Sequence, residues 1–273
     1  MSKLATFIGV ILGLIIVGMS MFDFEKGQIL MAFFNWQGLL VVLGGTFAAT
    51  FINYPLSQVG CALSGVGKIF LSEPASEHEA IEQILYLSHI VQKKGILGVE
   101  REIDLLSDPF LKFSISEMMV YRDIDLLRHS LENRLNSMRL RHLSCQDMFN
   151  NMASYAPAFG MMGTVMGLIM MMTAQMAPTD PSAFSGGTDN MLANLLQGMG
   201  LALVTTFYGV LFANLVFIPT AGKLKVLSDA ELFKNEILIF GTLGLKQEQS
   251  PLLLQESLMA FVNEKTKQKL SAQ

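Results

Sequence analysis

A chain of 273 residues that is 51% hydrophobic and only 15% charged is too poor in charge for an ordinary soluble domain, where about a quarter of residues carry one. Its formal net charge of −4 gives no electrostatic footprint for nucleic acid. Two cysteines, Cys61 and Cys145, are too few and too far apart for a metal motif or a disulfide framework.

The charges are also unevenly spread. Four stretches contain no Asp, Glu, Lys, Arg or His: Leu4–Phe22, Gly27–Gly67, Met148–Thr179 and Asn190–Gly222. About 20 apolar residues suffice for a helix to cross a bilayer. A lipid-exposed chain must satisfy its backbone internally, which makes helices the reading for such runs. The first run predicts a retained span, because no small-residue cleavage pattern precedes Asp23–Glu25. The second predicts a span near Ile29–Ile52.

The next hundred residues are charged and read as helical. Ser76 with Glu77 and Glu79 makes an N-terminal cap. Ile81, Ile84, Leu85, Leu87 and Val91 follow at helical spacing, and Lys94-Gly95 ends the helix. A second helix is expected over Gly98–Leu106, stopped by Ser107-Asp108-Pro109. A third runs from Ile124 through Leu135 and onward. Its stripe of Leu131, Leu135, Met138, His142, Cys145 and Phe149 leads into the third span, near Ser154–Met176. The fourth span is expected over Met191–Ile218 and ends at Pro219. An amphipathic helix over Leu252–Lys265 with a basic end at Lys265–Lys269 closes the chain. The two polar stretches are short of core for independent domains and are expected to pack on each other.

Lys and Arg set the orientation. Tyr54–Ala153 holds ten and the tail from Pro219 holds seven, whereas Asp23–Lys26 holds one and Ala177–Asp189 none. Both termini and both polar stretches are therefore expected in the cytoplasm, where thiols stay reduced. The expected architecture is all-α and polytopic. Residues 1–53 hold spans one and two, 54–153 a cytoplasmic helical domain, 154–218 spans three and four, and 219–273 a cytoplasmic tail.

No enzyme signature is present. His78, His89, His129 and His142 lie in no HExxH, CxxC or Ser/His/Asp-like setting, and there is no P-loop or GxGxxG. His142, on an apolar stripe, reads as a packing residue. An ion path normally shows an ionisable residue inside the membrane, and these spans have none. The protein is then either an inert scaffold or half of an ion path whose charged ligand comes from another subunit. Spans three and four favour the second. Pro157 removes a backbone donor and frees a carbonyl. Gly160, Gly163 and Gly167 offer a close-packing face. Thr164, Thr205 and Thr206 bring hydroxyls, each of which could equally bond back to its own helix.

The run Tyr155-Ala156-Pro157-Ala158-Phe159-Gly160-Met161-Met162-Gly163-Thr164-Val165-Met166-Gly167-Leu168 resembles the third span of the MotA/PomA flagellar stator subunits. Leu203-Val204-Thr205-Thr206-Phe207-Tyr208-Gly209, with Pro219 beyond it, is similar to their fourth span. Leu43-Gly44-Gly45-Thr46 looks like their second. Gly95-Ile96-Leu97-Gly98-Val99-Glu100 looks like their cytoplasmic Gly-x-Leu-Ala-Leu-Glu motif. TolQ/ExbB energising subunits are more distant relations and usually have three spans.

The resemblance implies a mechanism. Five such subunits surround two copies of a MotB/PomB-like single-span partner, whose aspartate binds the ion, in the bacterial inner membrane. Ion flow turns the pentamer, and its cytoplasmic domain pushes on a FliG-like rotor protein. On this reading Pro157 and Pro219 couple ion flow to movement, and Thr164 and Thr206, with Thr205 beside them, line the path. No cofactor or metal is held permanently, and the moving ion is sodium or a proton. Threonine at position 164 leans toward sodium, a hard cation that needs several oxygen ligands once dehydrated. Lys93, Lys94 and Glu100 are the candidate rotor contacts. Here the sequence departs from the family, with Gln92 where an arginine usually stands. A TolQ/ExbB-like role in another envelope machine remains the alternative.

Overall fold

The computed structural model describes residues 2–23, 28–29, 33–60, 75–176 and 187–261. Residues 24–26 and 177–186 of the two short connections, Cys61, and the basic end Lys265–Lys269 lie outside the described residues.

The fold is all-α apart from two two-residue strands. In chain order come α1 (Ser2–Ser20), β1 (Phe22–Asp23), β2 (Gln28–Ile29), α2 (Trp36–Leu39) and α3 (Gly45–Asn53). They are followed by α4 (Glu77–Lys94), a 3₁₀ helix (Ile96–Leu105), α5 (Pro109–Val120), α6 (Ile124–Met176), α7 (Gly187–Phe212), α8 (Ile218–Lys246) and α9 (Pro251–Met259). A π-helical turn at Leu40–Gly44 joins α2 to α3, and another at Ala213–Phe217 joins α7 to α8. Among the described residues, three continuous helical stretches are long and apolar enough to cross a membrane, within Trp36–Asn53, Ile124–Thr173 and Leu195–Lys246. Ile8–Ser20 of α1 is a shorter apolar stretch.

The chain forms two compact units, Met1–Ser72 with Ser144–Leu224 and Glu73–Leu143 with Lys225–Gln273. Two of their limits fall inside α6 and α8.

The first unit buries Val42, Met148, Phe149, Met152, Ala156, Val204, Tyr208 and Phe217. Its helix after the ribbon starts later than the apolar run suggests. Ile29 pairs with Phe22 in an antiparallel ribbon, and helix begins only at Trp36. Asn35 sets that start: its backbone is extended and its side chain accepts a hydrogen bond from the Gly38 N–H at 3.1 Å. At the far end, Asn53 donates to the Tyr155 hydroxyl (3.2 Å) and Asn151 to the Tyr54 hydroxyl (2.6 Å). These two reciprocal Asn–Tyr bonds tie the end of α3 to α6.

The second unit is a helical domain with its own core. Ile81, Ile84 and Leu87 of α4, Leu111, Ile115 and Met118 of α5, and Leu127 and Leu131 of α6 are fully buried together with Ile237 and Leu238 of α8 and Leu254 and Leu258 of α9. Residues before Leu143 and after Lys225 thus share one core, as their individual poverty in apolar residues requires. Both ends of α4 fall where expected, although Gly95, with ψ 177°, is not in the left-handed helical region. Ser76 accepts from the Glu79 N–H, and Gly95 takes the positive φ of 72° that a helix-ending glycine tolerates.

Three further boundaries differ from the sequence reading. Ser107-Asp108-Pro109 does not only stop the preceding helix, which is 3₁₀. Asp108 accepts from the N–H groups of Phe110 (2.8 Å) and Leu111 (3.1 Å), and Pro109 opens α5. An N-cap aspartate followed by proline is a start signal as much as a stop. Pro219 does not end the helix that carries the fourth charge-free run. The π turn before it already widens the hydrogen-bond ladder, and helix continues through it to Lys246. The final helix, Pro251–Met259, opens at the Ser250 cap and is shorter than expected.

Candidate functional site

The two helices that carry the family-like residues, α6 and α7, meet in the first unit through almost no side chain. A methyl group built on Gly167 would lie 2.6 Å from the Gly198 carbonyl oxygen and 2.9 Å from the Ala202 nitrogen. One on Gly160 would lie 3.0 Å from the Thr205 carbonyl oxygen, and one on Gly209 2.7 Å from the Ala156 carbonyl oxygen and 3.1 Å from Pro157 Cα. Gly163 faces the Thr205 side chain, where a methyl would come within 2.5 Å of Cβ. Backbone therefore lies on backbone from Ala156 to Gly167 of one helix and from Gly198 to Gly209 of the other. Such contact is available only to small residues, and it gives helix association where no hydrophobic effect operates.

The three threonines differ in position. Thr205 is fully buried, between Gly163 of α6 and Gly38 of α2, and its hydroxyl donates to the Leu201 (3.1 Å) and Ala202 (3.0 Å) carbonyls of its own helix. Thr206 is half-buried and its hydroxyl lies 3.4 Å from the Ala202 carbonyl. Thr164 is partly exposed and donates to the Met161 carbonyl at 2.6 Å. A hydroxyl whose hydrogen is committed to its own helix still offers lone pairs outward. Thr164 and Thr206 keep open sides on which to do so. Thr205 does not, and its geometry is that of a packing residue. Pro157 is half-buried inside α6 and has no N–H for the Ala153 carbonyl. Pro219 is exposed, immediately after the π turn.

Lys93, Lys94 and Glu100 are in the second unit. The lysines form the last turn of α4 and Glu100 lies in the 3₁₀ helix beyond Gly95; all three are exposed. Among the described residues none of their side chains makes a hydrogen bond or ion pair. His142 packs half-buried, with Nδ1 2.9 Å from Ser228 Oγ. Among the described residues no cluster of His, Cys, Asp or Glu could hold a metal ion.

One residue of the site escapes a sequence reading. Tyr208 is 7% exposed, and its hydroxyl donates to the Phe33 carbonyl at 2.5 Å while accepting the Asn35 N–H at 3.2 Å. In the sequence it appears only as part of the family-like run Leu203–Gly209, with no role of its own.

A membrane-type helical fold with a charge-free, small-residue seam and threonines at its edge defines a class, and comparison with known proteins agrees. The sequence model of the MotA/TolQ/ExbB proton channel family matches residues 102–236, a range that contains Pro157, Thr164, Thr206 and Pro219. Motility protein A of Treponema phagedenis is 32% identical over 241 residues, 88% of each chain. The chain belongs to the MotA/TolQ/ExbB family. Within it the likeness is to the MotA/PomA stator proteins. Chemotaxis protein PomA of Vibrio alginolyticus is 28% identical over 261 residues, 96% of each chain. The flagellar MotAB stator complex of Bacillus subtilis contains a chain of the same fold, with TM-score 0.79 and 23% identity over 97% of this chain and 98% of that one.

Proposed function

We propose that this chain is the ion-conducting subunit of a flagellar stator. It works with a MotB/PomB-like single-span partner that brings the ion-binding aspartate, and it couples sodium flow, rather than proton flow, to torque on a FliG-like rotor. It crosses the inner membrane four times, with α1 as the first span and both termini in the cytoplasm, and assembles as a pentamer. Lys93, Lys94 and Glu100 meet the rotor, and Pro157 and Pro219 transmit movement. The observation that carries this reading is the pair of partly exposed threonines, Thr164 and Thr206, beside a helix seam without any charge. Such a seam has ligands for a cation but nothing to compensate its charge, so a partner's carboxylate completes it. The Bacillus subtilis neighbour, a MotAB stator complex, supports a partner of that kind. Gln92 in place of the family's arginine is what favours the second reading, a TolQ/ExbB-like subunit of another envelope machine.

The test is ion flux in liposomes holding the chain with and without its co-encoded partner. Flux is expected only with the partner and only in sodium. Thr164→Ala, which removes one ligand oxygen, is expected to weaken the sodium dependence while leaving membrane insertion unchanged. Full flux in sodium-free buffer would sink the choice of ion; no flux in any pairing would leave a scaffold.

A further inference from the structure

The chain reaches α2 through three residues, Phe33–Asn35, outside any α-helix. Two of their backbone groups, the Phe33 carbonyl and the Asn35 N–H, meet one side chain. The Tyr208 hydroxyl gives its hydrogen to the Phe33 carbonyl and takes the Asn35 N–H, using its donor and one acceptor position. Asn35 in turn caps α2 through the Gly38 N–H. Gly38 faces the same stretch of α7: a methyl on it would lie 3.2 Å from Thr205 Cγ2 and 3.7 Å from the Tyr208 ring. The Phe33 ring lies 5.8 Å from Phe207 and that of Tyr208 6.3 Å from Phe212. One hydroxyl thus joins the entry of α2 to the turn of α7 that presents Thr205 and Thr206.

This connection supplies something the α6–α7 seam lacks. Contact between small residues fixes how close two helices lie, but a nearly smooth surface resists rotation about the helix axis only weakly. Successive residues of a helix point about 100° apart, so a modest rotation of α7 carries Thr206 away from its open side. A directed pair of hydrogen bonds from Tyr208, two residues on, resists that rotation.

We propose that Tyr208 is a positioning residue for the ion path: its hydroxyl latches α7 to the start of α2 and so holds the Thr206 oxygen toward the passing ion. The role rests on the ion-path reading given above. The latch itself does not, and it can be tested separately.

The variant is Tyr208→Phe, which keeps the ring among Phe33, Phe207 and Phe212 and removes only the hydroxyl. In the full chain, co-expressed with its partner, hydrogen exchange of the segment containing Asn35 is expected to rise roughly tenfold, as loss of one protecting hydrogen bond predicts. Unchanged exchange overturns the latch. Flux is then measured against ion concentration. The concentration giving half-maximal flux is expected to rise by roughly threefold or more, with membrane level and co-purified partner unchanged. A maximum that falls only in proportion to the amount of complex, at unchanged half-maximal concentration, shows a structural role and overturns the proposal. Wild-type chain that passes no ion with its partner defeats the ion-path reading and the positioning role with it, while exchange still decides whether the latch exists.

Discussion

The two units of this protein are held together by opposite means. In the first, α6 and α7 approach until glycine meets carbonyl oxygen, and polar side chains are spent on local back-bonds such as Thr205 to Leu201. In the second, branched and long side chains from four α-helices and the helical tail fill a core, and the polar groups cap helices or pair across them. The difference follows from the solvent each is built for. Against lipid, burying more apolar surface gains nothing, so close backbone packing and hydrogen bonds must provide association. Against water, buried apolar area is the main stabilising term.

The sharpest way to break that comparison is to add volume at the seam. Gly167→Leu would drive a side chain into the Gly198 carbonyl and the Ala202 nitrogen, which are backbone and cannot swing aside. Inserting methylenes into a packed core costs about 1–3 kcal/mol; at a backbone contact the helices must separate. Loss of flux and of thermal stability in detergent is expected. Gly200→Leu, also on α7, is the control, because nothing lies within 4 Å of a methyl placed there. Equal damage from both would show that the seam is not what holds the unit.

A smaller effect is expected in the second unit from Asp108→Ala. Asp108 caps α5 with two N–H bonds and pairs with Lys234 of α8, at side-chain exposures of 15% and 17%. Loss of an N-cap alone costs about 0.5–2 kcal/mol, and the half-buried Lys234 is left without its partner. Hydrogen exchange of the Pro109–Val120 amides is expected to accelerate at least tenfold, with the exchange of α7 unchanged. Equal acceleration in both helices would contradict the division into two units.

How much of this was legible in the sequence depends on what each feature rests on. Charge-free runs and heptad-like stripes are properties of composition and spacing, so the helical class, the long helix through Leu131, Leu135 and Phe149, and the Ser76 and Gly95 caps could be read directly. Boundaries set by local hydrogen bonding could not. Nothing in the apolar run from Gly27 to Gly67 marks Asn35 as the start of helix, because that depends on its side chain finding the Gly38 N–H and on Tyr208 covering the break. Pro219 reads as a stop because the π turn that accommodates it leaves no sequence signature. At the candidate site, the glycines and threonines were visible as residue types. That Thr205 is the enclosed one is decided by the packing of α2 and α6 against α7, contacts between residues far apart in the chain.

The finest probe of the comparison is a polar residue placed where the second unit's rule forbids it. Asn235 is fully buried on α8, its amide nitrogen 3.3 Å from the Met138 sulfur and its Oδ1 without a partner among the described residues. An unpaired buried carbonyl costs about 1–3 kcal/mol, and a sulfur acceptor returns little of it. In a core that obeys the aqueous rule, Asn235→Leu should therefore raise stability, by about 1 kcal/mol once the tighter fit of leucine is allowed for. A single polar residue in a helical seam can also fix register at a cost in stability. Leucine would then permit α8 to slide along α6, and the bond between His142 and Ser228, two turns from Asn235, would report it. The expected outcome is a higher unfolding midpoint with the His142 ring resonances unmoved. A higher midpoint with those resonances shifted would mean that Asn235 is kept for register, and a lower midpoint would mean that the second unit does not follow the aqueous rule at this position.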